Sequence, residues 1–417
     1  MKLRKLLLFP LLAVATVFSS PAEYRYVGGD ISLLPEYESA GAQYKDHDGQ
    51  PVAELLPWLH KQGMNAMRVR LFVNPSEYTG SDKDANACQD LDYILPLCKR
   101  IKEAGFALLL DFHYSDTWAD PAKQWTPKAW EGLSDEALCR QVYDYTTQCL
   151  EELKKAGATP DFIQPGNEIS YGMLWGPAGT SAPKKTFMGS QANWQRLGDL
   201  LNNAIKACHE QCPAAKIVLH TERVAQPDVQ ANFYNEMKRL GVDYDIIGLS
   251  YYPYFHGDMN VLKDALDSLT TLFPDKRIMI VETGYSYKWE VPGTDQKVDY
   301  PYSEEGQNQF AEDLVSLLRK YGNVDGLFWW WMEYNAFNTS LSGWYNAPLF
   351  DSTTGKATAA LKTICSFADG NDSSVDPVTG EEADREEQWY NMHGLPVAKP
   401  TSPGLYISRH KKMVITR

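Results

Sequence analysis

Two glutamates at the ends of apolar runs, Glu168 and Glu282, are the residues whose type and setting most directly suggest chemistry. The first closes Asp161-Phe162-Ile163-Gln164-Pro165-Gly166-Asn167-Glu168, an apolar strand that stops abruptly at an Asn-Glu pair. The second closes Arg277-Ile278-Met279-Ile280-Val281-Glu282, another apolar strand. A carboxylate at a C-terminal strand tip sits where α/β barrels carry their chemistry, and the amide beside Glu168 suits a hydroxylated ligand. Two such carboxyls about 5–5.5 Å apart would serve a retaining glycosidase, one as acid/base and the other as nucleophile. The division of labour follows from electrostatics. The acid must hold its proton near neutral pH, which burial and a neighbouring carboxylate favour, while the nucleophile must stay ionised, which a nearby Arg favours.

Positioning these tips requires a regular frame, and the sequence supplies one. Helical stretches, many ending in Gly, are followed by short apolar runs about every forty residues. Residues 51–63 lead into a strand at 66–73, 91–105 into 107–112, 134–157 into 162–165 and 193–211 into 217–220. The alternation continues with 229–241 before 246–250, 261–272 before 278–282 and 304–322 before 326–330. With a first strand at 24–30 this predicts eight parallel strands, each followed by a helix: an α/β fold, specifically a (β/α)8 TIM barrel over residues 23–367. An open doubly wound sheet would gather its polar residues at one switch point, whereas here they recur at nearly every strand end. Asp30 ends strand one, and strand two carries Arg68 and Arg70 on one side. Strand three ends in Asp111-Phe112-His113-Tyr114, and strand five ends at His220. Strand six runs into Ser250-Tyr251-Tyr252, and strand eight ends in Trp329-Trp330-Trp331.

Bulk properties narrow the partner. A formal net charge of −14 over 417 residues disfavours nucleic acid or an anionic membrane, both of which need a basic face, but is indifferent to a neutral ligand. The 12 Trp and 24 Tyr allow for aromatic faces on which sugar rings stack, if enough of them lie at loop positions. Lys2, Arg4 and Lys5 before apolar Leu6 to Phe18, then Ser20-Pro21-Ala22, read as a signal peptide over residues 1–22, too short for a membrane span. The expected location is therefore periplasmic, cell-surface or secreted. Seven cysteines leave at least one unpaired; Cys208 and Cys212 could bridge or be two buried thiols, and their scatter argues against zinc. Beyond the barrel, residues 368–388 read as an acidic linker, and 389–417 as a short β-rich tail with a His393-Gly394 turn.

The assembled rim resembles the family 53 glycoside hydrolases, the endo-β-1,4-galactanases, over residues 24 to 365. The most specific pieces are Leu110 to Pro121, the run from Gly166-Asn167-Glu168-Ile169 through Gly172-Met173-Leu174-Trp175, and Val281-Glu282-Thr283. Weaker agreement lies in Arg68 to Pro75, Gly248 to Pro253 and Ser303 to Gln307. The resemblance implies a retaining endo-hydrolase of β-1,4-galactan in pectin and type I arabinogalactan, with Glu168 as acid/base and Glu282 as nucleophile. It implies Arg68 near the nucleophile, Arg70 supporting the barrel interior, Asn167 on the sugar 2-hydroxyl and Tyr251 or Tyr252 steadying Glu282. It puts Trp330 beneath the sugar and Trp118, Asp120 and Trp175 as walls, while Asp30, His113 and His220 join the binding rim. No cofactor is required. Some relatives hold a structural calcium in the eighth loop, but Met332 to Asn346 offers no acidic cluster that indicates one.

Two stretches depart from the family pattern: Thr221-Glu222-Arg223 in the fifth loop and Trp331-Met332-Glu333 in the eighth, where subsites are expected to differ. The tail loosely resembles the C-terminal segments of secreted bacterial proteins with type IX sorting signals; a small β appendage is the other reading. The expected partner is the galactan chain, met by a monomer. Competing functions are another retaining endo-glycosidase of the same clan, acting on mannan, xylan or glucan, and a non-catalytic carbohydrate-binding barrel. Two apposed carboxylates, which repel one another, are of no use to the last.

Overall fold

Eight parallel strands close on themselves in the computed structural model: β1 (Tyr26–Asp30), β2 (Ala66–Leu71), β3 (Ala107–Phe112), β4 (Phe162–Pro165), β5 (Lys216–Thr221), β6 (Ile246–Tyr251), β7 (Arg277–Thr283) and β8 (Val324–Trp329). Outer helices alternate with them: α1 (Leu55–Lys61), α2 (Leu91–Glu103), α3 (Asp135–Lys155), α4 (Gln191–Gln211), α5 (Pro227–Arg239), α6 (Met259–Leu272), α7 (Glu304–Leu318) and α8 (Ala359–Cys365). The structure describes residues 24–186, 190–291, 294, 298–339, 341, 347–369 and four tail strands; the expected signal peptide, most of the expected acidic linker and the expected His393-Gly394 turn lie outside them. Several helices begin where a side chain takes up free backbone N–H groups. Asp90, Ser134, Asp258 and Ser303 cap α2, α3, α6 and α7.

Strand alternation sorts the barrel into two hydrophobic layers. Ala66, Leu109, Phe162, Val218, Ile246, Met279, Val281 and Phe328 pack together inside the barrel. Met67, Val69, Leu108, Leu110, Ile217, Leu219, Ile247 and Leu249 belong instead to the larger core that the strands share with the helices. On the inward parity, one step above the interior plug, stand Arg68, Asp111, Gln164, His220 and Ser250, all fully buried.

Strand β7 breaks this alternation at a decisive point. Leu249 of β6 pairs with Ile280, and the next residue, Ser250, pairs with Glu282, so that Val281 is an extra residue in the ladder. The β8 side shows the same slip, with Leu327 opposite Ile280 and Trp329 opposite Thr283. The bulge lets both Val281 and Glu282 face the barrel axis, re-aiming a side chain that strict alternation would turn outward.

The expected first helix, residues 51–63, is shorter than its pattern suggested. Pro51–Val52 pairs antiparallel with Tyr44–Lys45 as a small hairpin, and the helix starts only at Leu55. All seven cysteines are free, so Cys208 and Cys212 do not bridge. In the tail, β9 (Trp389–Tyr390), β10 (Pro396–Val397), β11 (Gly404–Ser408) and β12 (Lys411–Ile415) form an antiparallel sheet in the order β10-β9-β11-β12, a unit separate from the barrel.

Close strand approach sets a sharp limit at β1. A Cβ on Gly28 would lie 1.7 Å from the Ala66 carbonyl oxygen. Gly28→Ala is expected to cost about 3 kcal/mol through overpacking, seen as a lowered Tm, whereas Gly322→Ala, with nothing within 4 Å of its Cβ, should stay within about 0.5 kcal/mol of wild type.

Candidate active site

The polar layer is organised by Arg68. Its Nη1 lies 3.2 Å from Asp30 Oδ2, and its Nη2 lies 2.7 Å from Asp111 Oδ2 and 2.8 Å from Glu282 Oε1. The same Nη2 donates to Asn167 Oδ1 at 2.9 Å. Arg70 pairs with Asp30 Oδ1 at 2.7 Å, and its guanidinium is enclosed by the rings of Trp118, Trp330 and Trp331, 4.8–5.2 Å away. Burial pushes the Asp111 carboxyl up, but Arg68 and His113 outweigh it and hold it below the usual carboxylate range. His113 accepts from Ala119 N at Nδ1 and turns Nε2 to Asp111, 3.1 Å away.

Glu168 sits in a different electrostatic setting. Burial raises its pKa well above the ordinary value, the negative charges of Glu282 and Glu222 raise it further, and only a hydrogen bond from Ser250 opposes them. Among the described residues, no cation figures in its leading influences. Ser250 Oγ donates to Glu168 Oε1 at 2.7 Å and meets His220 Nε2 at 2.8 Å. His220 Nδ1 has three polar neighbours, Asn167 Oδ1 at 3.0 Å, Gln164 Nε2 at 3.1 Å and the Glu168 backbone N–H at 3.3 Å; the two N–H donors favour an accepting Nδ1, with Nε2 carrying the proton toward Ser250. Burial and Arg68 press the His220 pKa far down, which keeps the imidazole neutral. Burial raises Glu282 as well, to about 7, but Arg68 pulls against it, and Tyr252 donates a hydrogen bond to its Oε2 at 3.2 Å. Of the two glutamates, Glu282 is the one fitted to carry charge.

The backbone is specialised here too. Gly166 has φ +103, and a Cβ there would meet Ile169; Glu168 itself adopts a left-handed φ of 48. Such a conformation costs a non-glycine residue about 1–3 kcal/mol and is kept where the surroundings enforce it. Both glutamates border one open cavity of about 650 Å³, with Asn167, Tyr252, Trp118 and Trp330 in its wall. Among the described residues, no group of three or more His, Cys, Asp or Glu side chains could hold a metal ion, and no helix is long and apolar enough to cross a membrane.

Sequence comparison places this geometry. The model of glycosyl hydrolase family 53 matches residues 26–364. The chain belongs to this family. It is 34% identical over 349 residues to an arabinogalactan endo-beta-1,4-galactanase of Cellvibrio japonicus, covering 79% of this chain and 87% of that one. The GH53 catalytic domain of Ignisphaera aggregans superposes with a TM-score of 0.72 at 32% identity, covering 84% of this chain and 97% of that one. A fungal beta-1,4-galactanase superposes at 0.69 with 28% identity, over 82% and 99% of the two chains.

Within the family 53 frame, the residues singled out from sequence separate into three groups. Glu168, Glu282, Asn167, Tyr252, Trp118, Asp120 and Trp330 reach the cavity. Asp30, Arg68, His113 and His220 lie beneath it, fully or almost fully buried, and hold the cavity residues in place. Tyr251 and Trp175 are not brought to it. Tyr251 follows the outward parity of β6 and donates to the Gly257 carbonyl, which leaves Tyr252 as the partner of Glu282. Trp175 is only 1% exposed; its Nε1 donates to Tyr171 O, and it borders a separate hollow beside α3 and α4. Glu333, in the divergent eighth loop, is also buried away from the cavity, accepting from Leu33 N at 2.9 Å.

Asp111, Gln164 and Ser250 join the site without having stood out as candidates, and inward parity on their strands is the signal that marks them. Glu222 and Arg223, conspicuous in the sequence only as a departure from the family pattern, and Phe255, which carries no mark there, also border the cavity.

The raised pKa of Glu168 has a consequence for stability. A carboxyl whose folded pKa exceeds its unfolded value stabilises the fold at low pH and loses that contribution as pH rises through the folded pKa. Glu168→Gln should therefore match wild type in denaturant unfolding near about pH 4 and exceed it near about pH 8. A constant difference at both pH values would contradict this placement of the proton.

Proposed function

We propose that this protein is an arabinogalactan endo-β-1,4-galactanase working by double displacement with retention at the anomeric carbon. The observation that carries the mechanism is the unequal setting of the two cavity glutamates, Glu282 against Arg68 and Glu168 without a cation. The substrate is supported by family membership and by the galactanases at 31–34% identity.

In the first half-reaction, the Glu282 carboxylate attacks the anomeric carbon. The bond to the leaving oxygen breaks, and Glu168 gives that oxygen its proton. Tyr252 and Arg68 hold Glu282 in line; Asn167, whose Oδ1 is engaged by Arg68 and whose Nδ2 donates to Ala119 O, presents its remaining amide hydrogen to the sugar 2-hydroxyl. Trp330, with the Arg68 guanidinium 5.5 Å from its ring centroid, serves as the floor. Once the ester forms, the charge on Glu282 is gone and its effect on Glu168 disappears. Glu168, now the more acidic for it, takes a proton from water as the water oxygen displaces Glu282 from the sugar.

The chemistry calls on no cofactor, and one copy of the barrel carries every group named. Export rests on the sequence alone, on the basic residues and apolar run at positions 2–18.

A time course of products from linear β-1,4-galactan tests the assignment. Wild type should release short galacto-oligosaccharides, while Glu168→Ala should be slower by about 10²–10⁴-fold, the usual worth of a general acid. Glu282→Gln should be inactive on every glycoside; full activity on galactan in that variant would refute the mechanism. Cleavage of mannan, xylan or glucan with galactan left intact would keep the mechanism and overturn the substrate.

A further inference from the structure

Glu168 at the end of β4 and Glu282 at the end of β7 divide the rim into two arms. One arm, β8 with β1 to β3, supplies Arg68, Trp118 and Trp330. These groups gather round Glu282, and Asn167 reaches across to Arg68. The sugar that becomes attached to Glu282 must lie on that side. The leaving sugar, whose oxygen takes the proton of Glu168, must then lie over the other arm, the loops after β5 and β6. That arm supplies Glu222, Arg223 and Phe255 to the cavity, and apart from the charge of Glu222 acting on Glu168 the mechanism above assigns them nothing.

Their setting is that of a built site. Phe255 is 47% exposed, although Tyr252 and Tyr254 beside it, each with ring centroid 6.2 Å away, are buried. An exposed aromatic face in a cavity wall suits the C–H face of a hexose. Glu222 is only 5% exposed; its Oε1 accepts from Ser170 Oγ at 2.5 Å and pairs with Arg223 Nε at 2.6 Å, while Oε2 has no partner among the described residues. A buried carboxyl oxygen left unpaired costs about 1–3 kcal/mol, which a ligand hydroxyl would offset. The group is firmly held. Arg223 packs over the Tyr171 ring at 4.2 Å, and His256 accepts from Tyr252 N at 3.0 Å while its ring bonds the Glu222 backbone, tying the two loops together.

We propose that the β5–β6 arm is the leaving-group subsite, with Phe255 as the platform for the reducing-side galactose and Glu222 as the acceptor for one of its hydroxyls. The inference rests on the galactanase reading for the identity of that sugar. It makes both residues determinants of how well a sugar, as opposed to a small leaving group, is accepted at the cleavage point. It also assigns a role to the fifth loop, where this sequence departs from the family pattern.

The test compares linear β-1,4-galactan with β-galactobiosyl fluoride, whose leaving group is too small to touch the arm, using wild type, Phe255→Ala, Phe255→Trp and Glu222→Gln, each at its own pH optimum. The ratio of kcat/KM on galactan to that on the fluoride should fall about tenfold in Phe255→Ala and in Glu222→Gln, and return toward wild type in Phe255→Trp. With the fluoride as donor and galactobiose as acceptor, the ratio of transfer to hydrolysis should fall by a similar factor. Phe255 is half exposed, so its variants remain folded and informative even if Glu222→Gln is not. Ratios within about twofold of wild type, or equal losses on both substrates, would overturn the subsite. A wild type that hydrolyses the fluoride but leaves galactan intact would overturn the substrate assignment instead, and the transfer ratio would still decide the subsite.

Discussion

The guanidinium of Arg68 is the constraint on which the rest of the barrel mouth depends. It is completely buried and faces Asp30, Asp111 and Glu282 at 2.7–3.2 Å, drawn from β1, β3 and β7. Isolated buried charges are costly, and removing one member of a buried pair typically destabilises by about 3–5 kcal/mol because the partner is left unpaired. No neutral side chain could replace Arg68 without removing the cation that carboxylates on three different strands share; Arg70 would still hold Asp30, but Glu282 would be left with none. The arginine therefore closes the upper barrel as an apolar plug closes the lower one, and it does so while aiming a carboxylate at the cavity.

Charge counting extends this to the chemistry. Arg68 and Arg70 face Asp30, Asp111 and Glu282, and Glu168 stands close enough to Glu282 for each to feel the other. Two cations cannot neutralise four carboxylates. The group without a cation, Glu168, is the one that keeps its proton, because both burial and its negative neighbours disfavour ionisation. In the proposed mechanism, acid and nucleophile are thus distinguished by which of them Arg68 touches. His220 and Ser250 contribute geometry more than charge: the imidazole stays neutral and the hydroxyl fixes one carboxyl oxygen of Glu168.

Much of this was legible in the sequence for a definite reason. The eight strands are apolar runs separated by capped helices, so their order and approximate bounds follow from local patterning. The strand-end residues Glu168, Glu282, Arg68 and Asn167 are conspicuous because charged and amide groups interrupt apolar segments. Three-dimensional packing decided the rest. Trp175 belongs to a motif that matches the family, yet the turn after Glu168 folds it under the loop against Tyr171 O. Tyr251 and Tyr252 are indistinguishable by residue type; only the parity of β6 shows that the first points toward the helices and the second toward Glu282. Glu222 gave no signal beyond being unfamiliar, since its value as a wall residue depends on Ser170 and Arg223 meeting it across a loop.

The two carboxyls proposed to carry the reaction share one further property that no periodicity could reveal. Neither is delivered by regular strand geometry. Glu282 faces the axis because Val281 is an extra residue in the ladder on both of its neighbours, and Glu168 faces the cavity because its own backbone is left-handed just beyond the end of β4. A regular strand presents every second residue to the interior, at the height its register dictates. A catalytic pair must instead meet across a substrate, from strands three apart, with a separation set by the reaction. Local backbone irregularity supplies the missing freedom. The bulge and the left-handed residue are held in place by the regular barrel around them, so the precision of the site derives from the rigidity of strands that take no part in the chemistry.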